Sequence, residues 1–562
     1  MKTLGTLDYA VFLIYFLIVA FYGWWVYRQK RAHKENSKDF FLAKDSLTWW
    51  AIGASLIASN ISAEQFIGMS GSGFKMGLAI ATYEWMAAAT LLIVAIFFIP
   101  VYLKNKIYTM PQFLHQRYNS TVAMIMAVFW LLLYVVVNLT SILYLGALAI
   151  HSISGINLTA CMYILAIFAI IITLGGMKVI GYTDVIQVFF LILGGLATTY
   201  LALDLVATHF GSSGVLKGFK LLTTQAEEHF HMILKKDNEN YLDLPGLTVL
   251  IGGMWIVNLN YWGCNQYITQ RALGADLKTA RSGILFAAFL KLLMPVIVVL
   301  PGIAAYVLYK EGYGDFKTSM SQGGEVVPDT AYPVLLNLLP TGLKGLSFAA
   351  LTAAVVASLA GKANSIATIF TLDIYKKVIN KDAHEDKQVF IGRWAVVLSM
   401  LIAILIAPLL GIDKKGGFQF IQEYTGFFSP GIFAMFILGF FWKKTTSNAA
   451  LFATVGGFAL SVLLKFMPFV VDLQFLSASG FSKLVEQKDG SMLYEIPFLD
   501  RMGFVFLICM VVMYLISVFE TKRGVVAKGL DIDSGMFKTN RSFTVGALII
   551  CGLLIALYTI YW

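Results

Sequence analysis

The chain has 562 residues, 58% of them hydrophobic and only 13% charged, with a mean hydropathy of +0.76. Ordinary globular domains carry about 45–50% apolar and about 25% charged residues, so this composition excludes a soluble fold and calls for a lipid bilayer. The net charge of +10 does not point to nucleic acid, because the cationic residues gather in alternate loops between apolar runs, the distribution that orients a membrane protein.

A backbone exposed to lipid must satisfy its own hydrogen bonds, so each crossing needs roughly 20 mainly apolar residues in a helix. Fourteen runs meet that requirement, which predicts an all-α membrane protein with 14 transmembrane helices. The first, 8–27, follows Asp8 with no basic segment and no small-residue cleavage site, so it reads as a retained span rather than a removable signal peptide. Arg28, Lys30, Arg31, Lys34, Lys38 and Lys44 follow it and place that loop in the cytoplasm. Spans 48–73, 78–103, 122–151, 158–176 and 181–204 come next, then a polar stretch, 205–245, too short for a core of its own. Spans 246–270, 280–309, 333–375, 389–411 and 417–442 follow, then 447–466 and a second polar stretch, 467–500, which reads as a loop. The last two, 502–519 and 542–562, flank the cytoplasmic cations Lys522, Arg523, Lys528, Lys538 and Arg541, which leaves both termini extracytoplasmic. Cys161, Cys264, Cys509 and Cys551 all sit inside apolar runs without metal-ligand or disulfide spacing and read as core residues.

Two spans are interrupted by polar residues. The second carries Ser59-Asn60-Ile61-Ser62-Ala63-Glu64-Gln65 and then Gly68, Gly71 and Gly73; the seventh carries Asn258 to Gln266. They lie five spans apart, the offset expected of two inverted five-helix halves whose unwound helices meet a substrate near the bilayer midplane. This divides the chain into an N-terminal helix and basic loop (1–47), a first repeat (48–204), an extracytoplasmic loop (205–245), a second repeat (246–442) and three peripheral helices (443–562). The same polar stretches would also serve as helix-packing faces, worth about 0.6 kcal/mol per contact.

Ionisable side chains within membrane spans are costly and mark functional sites by default; here they are Glu64, Glu84, Asp184, Lys291, Lys362 and Glu423. A ligand with several neutral hydroxyls, such as a sugar, needs amides, carboxylates and an ammonium around it, with aromatic surface for its apolar face. Asn60, Gln65, Glu84, Asn258, Lys291 and Gln422 supply the polar groups, and Tyr83, Tyr261 and Phe418 lie nearby in sequence. Gln65 and Met69, Asn258 and Tyr261, and Phe418 and Gln422 are spaced to share a helix face in pairs. Sodium, a hard cation, wants carbonyl and hydroxyl oxygens. Unwound backbone near Asn60 offers the first, and Ser358, on the stripe Ala354, Ser358, Lys362, offers the second; serine also packs helices without binding anything.

The runs ASNISAEQFIGMSGSG, ATYEWM, VNLTSILYLG, TDVIQVFFLILGG, NQYITQR, FAAFLKLLMPVIVVLPGIAAY, NSIATIFTLDIY and FIQEYTGFFSPGI resemble the sodium/glucose cotransporter (solute:sodium symporter) family, and within it the bacterial galactose-type members. The likeness runs from about residue 40 to 450. It implies a LeuT-like 5+5 inverted repeat with one helix before and three after, in a bacterial inner membrane, and import of a monosaccharide with sodium by alternating access. Carried over residue by residue, the sugar contacts are Asn60, Gln65, Glu84, Asn258, Lys291 and Gln422, with Tyr261 as inner gate and Met69, Tyr83 and Phe418 as outer gate. The sodium ligands are the carbonyls of Ala58, Ile61 and Ala354 and the hydroxyl of Ser358, and Asp184 lies on the inward sodium path. Ala87 stands where the galactose-type members have a sugar-contacting serine, which bears on the choice of hexose, and Ala357 where they have the first serine of a pair in the sodium site.

Lys362 lies one turn beyond Ser358 on the same stripe, and the expectation is that it pairs with Asp184 and modulates sodium release; the alternatives are partial replacement of the ion, making coupling to protons possible, or snorkelling to cytoplasmic water. The expected partners are therefore a sugar, sodium and lipid, with no nucleic acid, in a monomer or weak dimer. Close alternatives are a symporter for myo-inositol or another polyol and a proton-coupled sugar transporter. No nucleophile, metal-binding histidine or phosphate loop stands on a water-facing segment, so an enzyme is not expected.

Overall fold

Apolar runs of this length become helices because only a helix satisfies every backbone donor and acceptor within one segment. A computed structural model describes residues 4–30, 47–174, 177–322, 324–409, 416–487 and 490–562. The described residues are mostly helical, and the expected spans 48–73 and 246–270 are each interrupted. Among the described residues nine helices are long and apolar enough to cross a membrane, or ten when Gly417–Thr425 and Ser429–Phe441, bent by 50°, are taken together. The others are short or interrupted, such as Leu158–Thr173, Trp49–Asn60 and Gly253–Cys264. The expected basic residues Arg31, Lys34, Lys38 and Lys44 lie outside the described residues.

The chain forms two compact units, each discontinuous in sequence. The first comprises residues 1–84, 131–231 and 274–421. Its centre is the 34-residue helix Leu277–Lys310 and the 26-residue helix Leu343–Thr368. Asp8 ties the first helix, Thr6–Lys30, to the second of these: its carboxylate accepts from the N–H groups of Gly342 (2.7 Å) and Gly345 (3.0 Å). An anion there complements the unsatisfied donors of a helix start. The helical stretch from Glu64 to Lys104 turns at Gly77, with φ 67° and ψ −145°. Only glycine fits, since a side chain there would meet the His229 backbone oxygen at 2.2 Å. A small antiparallel pair, Ser321–Gln322 with Glu325–Val326, follows the Leu277–Lys310 helix.

The second unit comprises residues 85–130, 232–273 and 422–562. Arg117 closes the C-terminus of its Ser429–Phe441 helix, donating to the carbonyls of Gly439 (2.7 Å), Trp442 and Thr445 (both 2.9 Å), where a cation meets the negative end of the dipole. The stretch 467–500, expected to be loop, contains a hairpin, Lys483–Glu486 paired with Met492–Glu495. Three of the cysteines are buried as expected, whereas Cys551 is exposed.

Candidate functional site

In the first unit the interrupted helix ends at Asn60, and Ile61 is extended (φ −76°, ψ 109°) before helical winding resumes at Glu64. The Ser62 N–H, which in a continuous helix would reach the Ala58 carbonyl four residues back, donates instead to Gln65 Oε1 at 3.1 Å. The Gln65 N–H, which would reach Ile61, donates to the Ser62 carbonyl at 3.2 Å. Both carbonyls are thereby released from the helix ladder, and Ser358 Oγ lies 3.4 Å from each. Two carbonyls and a hydroxyl converging on one point make an oxygen cradle of the kind a hard monovalent cation takes. Ala354 lies one turn earlier on the helix that carries Ser358. The expected ligands Ala58, Ile61 and Ser358 are thus brought together, and the side chain of Gln65 caps the Ser62 N–H at the break.

Close by in the same unit, Lys291 donates to both Asn60 Oδ1 and Glu84 Oε2, and the lysine and the carboxylate are almost completely buried. Lys291 stands four residues before Pro295 inside its helix, and proline has no N–H to give the carbonyl of residue 291. A buried ammonium, a carboxylate and an amide in one network present donors and acceptors together, the pattern that a polyhydroxylated ligand can share. Asn60, Glu84 and Lys291, three of the six polar groups singled out from the sequence, are thus in direct contact, with Glu84 and Lys291 as a buried ion pair.

Above the break Phe418 packs against Gly68, where a side chain would come within 2.8 Å of the Phe418 backbone nitrogen. Tyr83 meets Phe418 edge to face, with ring centroids 4.9 Å apart. Met69 is buried on the turn next to Gly68. The helix that begins at Gly417 is held by an acid that sequence reasoning did not single out: Asp329 Oδ2 accepts from the Gly417 N–H at 2.8 Å, and Asp329 lies against Gly71. Asp329 is outside the membrane-spanning helices, and burial raises its carboxyl to about 7, against the lowering effects of the Gly417 N–H and Lys75. It lies in a polar connecting stretch, where only its neighbours in three dimensions distinguish it from a solvated acid.

Lys362 Nζ lies 3.3 Å from Glu64 Oε1, a carboxylate that the helical spacing had not suggested, and Asp184 Oδ2 accepts from Ser55 Oγ at 2.8 Å. Glu64 follows the break directly, on the segment that faces Ser358.

In the second unit the polar run 258–266 behaves differently. The helix continues through Asn258, Asn260 and Tyr261 to Cys264 and breaks at Asn265 (φ −96°, ψ 127°). Asn258 Nδ2 bonds the Met254 carbonyl of its own helix at 3.2 Å, and Asn260 Nδ2 bonds Ser429 Oγ at 3.2 Å. Tyr261 packs edge to face on Tyr267. Gln422 is half-buried on the helix Gly417–Thr425.

The chain is 47% identical to a sodium/glucose cotransporter of Vibrio parahaemolyticus over 100% of this chain and 99% of that protein. It is 32% identical to the human sodium/myo-inositol cotransporter 2, over 82% of this chain and 70% of that one. Among solved structures, a sodium-coupled sialic acid symporter in a substrate-bound outward-open state superposes with a TM-score of 0.73 at 19% identity, covering 92% of this chain and 98% of that chain, a likeness of fold alone. A profile described as the sodium:solute symporter family matches residues 40–457; with an oxygen cradle at a helix break and a multi-pass membrane fold, the chain belongs to the sodium:solute symporter family, a transporter and not an enzyme, with sodium as its co-transported ion.

Proposed function

We propose that the protein couples inward sodium movement to uptake of a monosaccharide of the glucose or galactose type by alternating access. The observation that carries this reading is the buried Asn60, Glu84 and Lys291 network beside the Ala58, Ile61 and Ser358 cradle, which sets hydroxyl-binding chemistry next to cation-binding chemistry at one helix break. The 47% identity to a sodium/glucose cotransporter supports the substrate class.

In this mechanism sodium enters the cradle, with the Ala354 carbonyl completing its oxygen shell, and favours the state that also binds sugar; coupling is this difference in affinity between states. The sugar hydroxyls exchange bonds with Asn60, Gln65, Glu84 and Lys291, and Tyr83, Phe418 and Met69 close over them. The family resemblance adds Asn258 and Gln422 as sugar contacts, Tyr261 as inner gate and Asp184 on the sodium exit path. A 100 mV potential contributes about 2.3 kcal/mol per charge moved. The same reading takes the chain as 14 helices with repeats at 48–204 and 246–442, in a bacterial inner membrane with both termini outside, as a monomer or weak dimer. A myo-inositol or polyol substrate is the second reading, favoured by the inositol-transporting relatives; Ala87, which offers no hydroxyl, bears on which hexose is taken.

The test is uptake of labelled glucose and galactose into proteoliposomes, with a sodium gradient or with choline in its place, and with unlabelled myo-inositol as competitor. Sodium-dependent hexose accumulation that Glu84→Ala abolishes is the expected result. Uptake indifferent to sodium would sink the coupling, and competition by myo-inositol alone would move the substrate to a polyol.

A further inference from the structure

The cradle has a charged neighbour that the transport reading leaves unused. Ser358 and Lys362 are one helical turn apart on the same face, about 5.4 Å of rise, and the Lys362 ammonium lies 3.3 Å from the Glu64 carboxylate. Glu64 in turn is fixed to the break itself, since its N–H donates to Ser62 Oγ at 3.1 Å. The pair therefore joins the two elements that supply the cradle oxygens, the helix Leu343–Thr368 and the interrupted segment 58–64. Both side chains are buried, 2% and 6% exposed. Water is excluded there, and removing one partner leaves the field of the other on the cradle.

We propose that the Glu64–Lys362 pair sets the affinity of the sodium cradle: the ammonium cancels the attraction that Glu64 exerts on an ion held by Ala58, Ile61 and Ser358, and so keeps sodium weakly enough bound to leave. This rests on the reading of those three residues as sodium ligands. The cradle alone consists of neutral oxygens, so a single charge one turn away is the largest electrostatic influence on it that these elements carry. A neutral pair contributes little; either charge by itself contributes strongly and with opposite sign.

Opposite signs make the test decisive. Sodium is titrated into the purified full-length protein without sugar, followed by thermal stabilisation, and the half-saturating sodium concentration of sugar uptake is measured in parallel. Lys362→Met is expected to lower that concentration about tenfold and to slow turnover, while Glu64→Gln raises it about tenfold. The double variant Lys362→Met with Glu64→Gln returns close to wild type. Should Lys362→Met not fold, Lys362→Gln, which keeps a hydrogen bond to Glu64 without the charge, carries the same expected fall. Single variants that shift sodium affinity in the same direction, or reduce only yield and maximal rate, would overturn the proposal. A wild-type protein that takes up sugar without sodium, and is not stabilised by it, would overturn the cradle itself.

Discussion

The two interrupted helices look alike as strings of Asn, Ser, Gln and Gly, yet they use their polar residues in opposite ways. At 58–65 a side chain, Gln65, takes the Ser62 N–H out of the helix ladder and two carbonyls turn towards Ser358. At 258–265 the amides spend their donors on keeping the helix in place: Asn258 on its own Met254 carbonyl, Asn260 on the neighbouring Ser429, with the break deferred to Asn265. The difference teaches that a polar run frees backbone carbonyls where a side chain competes successfully with the backbone for an N–H. Where amides bond back to the helix or across to another, the run packs helices.

Gln65→Leu attacks this contrast most directly. Without Oε1 the Ser62 N–H has its helical acceptor, the Ala58 carbonyl, as the nearest replacement, and the cradle loses an oxygen. A lost ligand of this kind costs about 1–3 kcal/mol, so sodium should bind about 5- to 150-fold more weakly. Measuring sodium stabilisation of the purified protein without sugar separates this effect from any sugar contact of Gln65. Unchanged sodium binding would mean that the break holds without its side-chain brace. Asn260→Ala, at the other interruption, removes one neutral hydrogen bond to Ser429, worth about 1 kcal/mol. The expected result is a small loss of thermal stability with sodium affinity within about threefold of wild type; a loss as large as that of Gln65→Leu would erase the distinction between the two helices.

The existence of both interruptions was legible because polar residues and glycines stand out against apolar spans, and so were Ser358 and the Asn60, Glu84 and Lys291 side chains, whereas the carbonyls of Ala58 and Ile61 came from the family resemblance alone. What was not legible was the partner of each group. The stripe Ala354, Ser358, Lys362 follows from helical spacing, but helical spacing on one span says nothing of which carboxylate on another span faces it, and Glu64 is the one found at 3.3 Å. The second break could not be placed within its run, since Asn258 and Asn265 are the same residue type and only their hydrogen-bond surroundings differ. The hairpin at 483–495 has mixed polar strands flanking Gly490 that merge with loop composition. Asp329 was passed over because an acid in a connecting segment looks solvated until Gly71 and Gly417 are seen to enclose it.

That acid gives the comparison its finest test. The first interruption continues into a segment buttressed by a titratable group, Asp329 against Gly71, whereas the start of the second, at Gly253, lies against the neutral backbone carbonyl of Leu499. The Asp329 carboxyl is raised from 3.8 to about 7 in the folded protein, so between about pH 4 and about pH 7 the folded state holds a proton that the unfolded state has released. Stability therefore falls as pH rises through that window, and the full cost of the buried charge is present by pH 8. Asp329→Asn keeps an acceptor for the Gly417 N–H and removes the titration. The variant should melt at a higher temperature than wild type at pH 8, with the gap narrowing at pH 5.5, as followed by thermal unfolding in detergent. A variant weakened more at pH 8 than at pH 5.5 would mean that the anion, charge-assisted by the helix start at Gly417 and by Lys75, is net stabilising, and that the outer end of the first interruption is held by charge rather than by close packing against it.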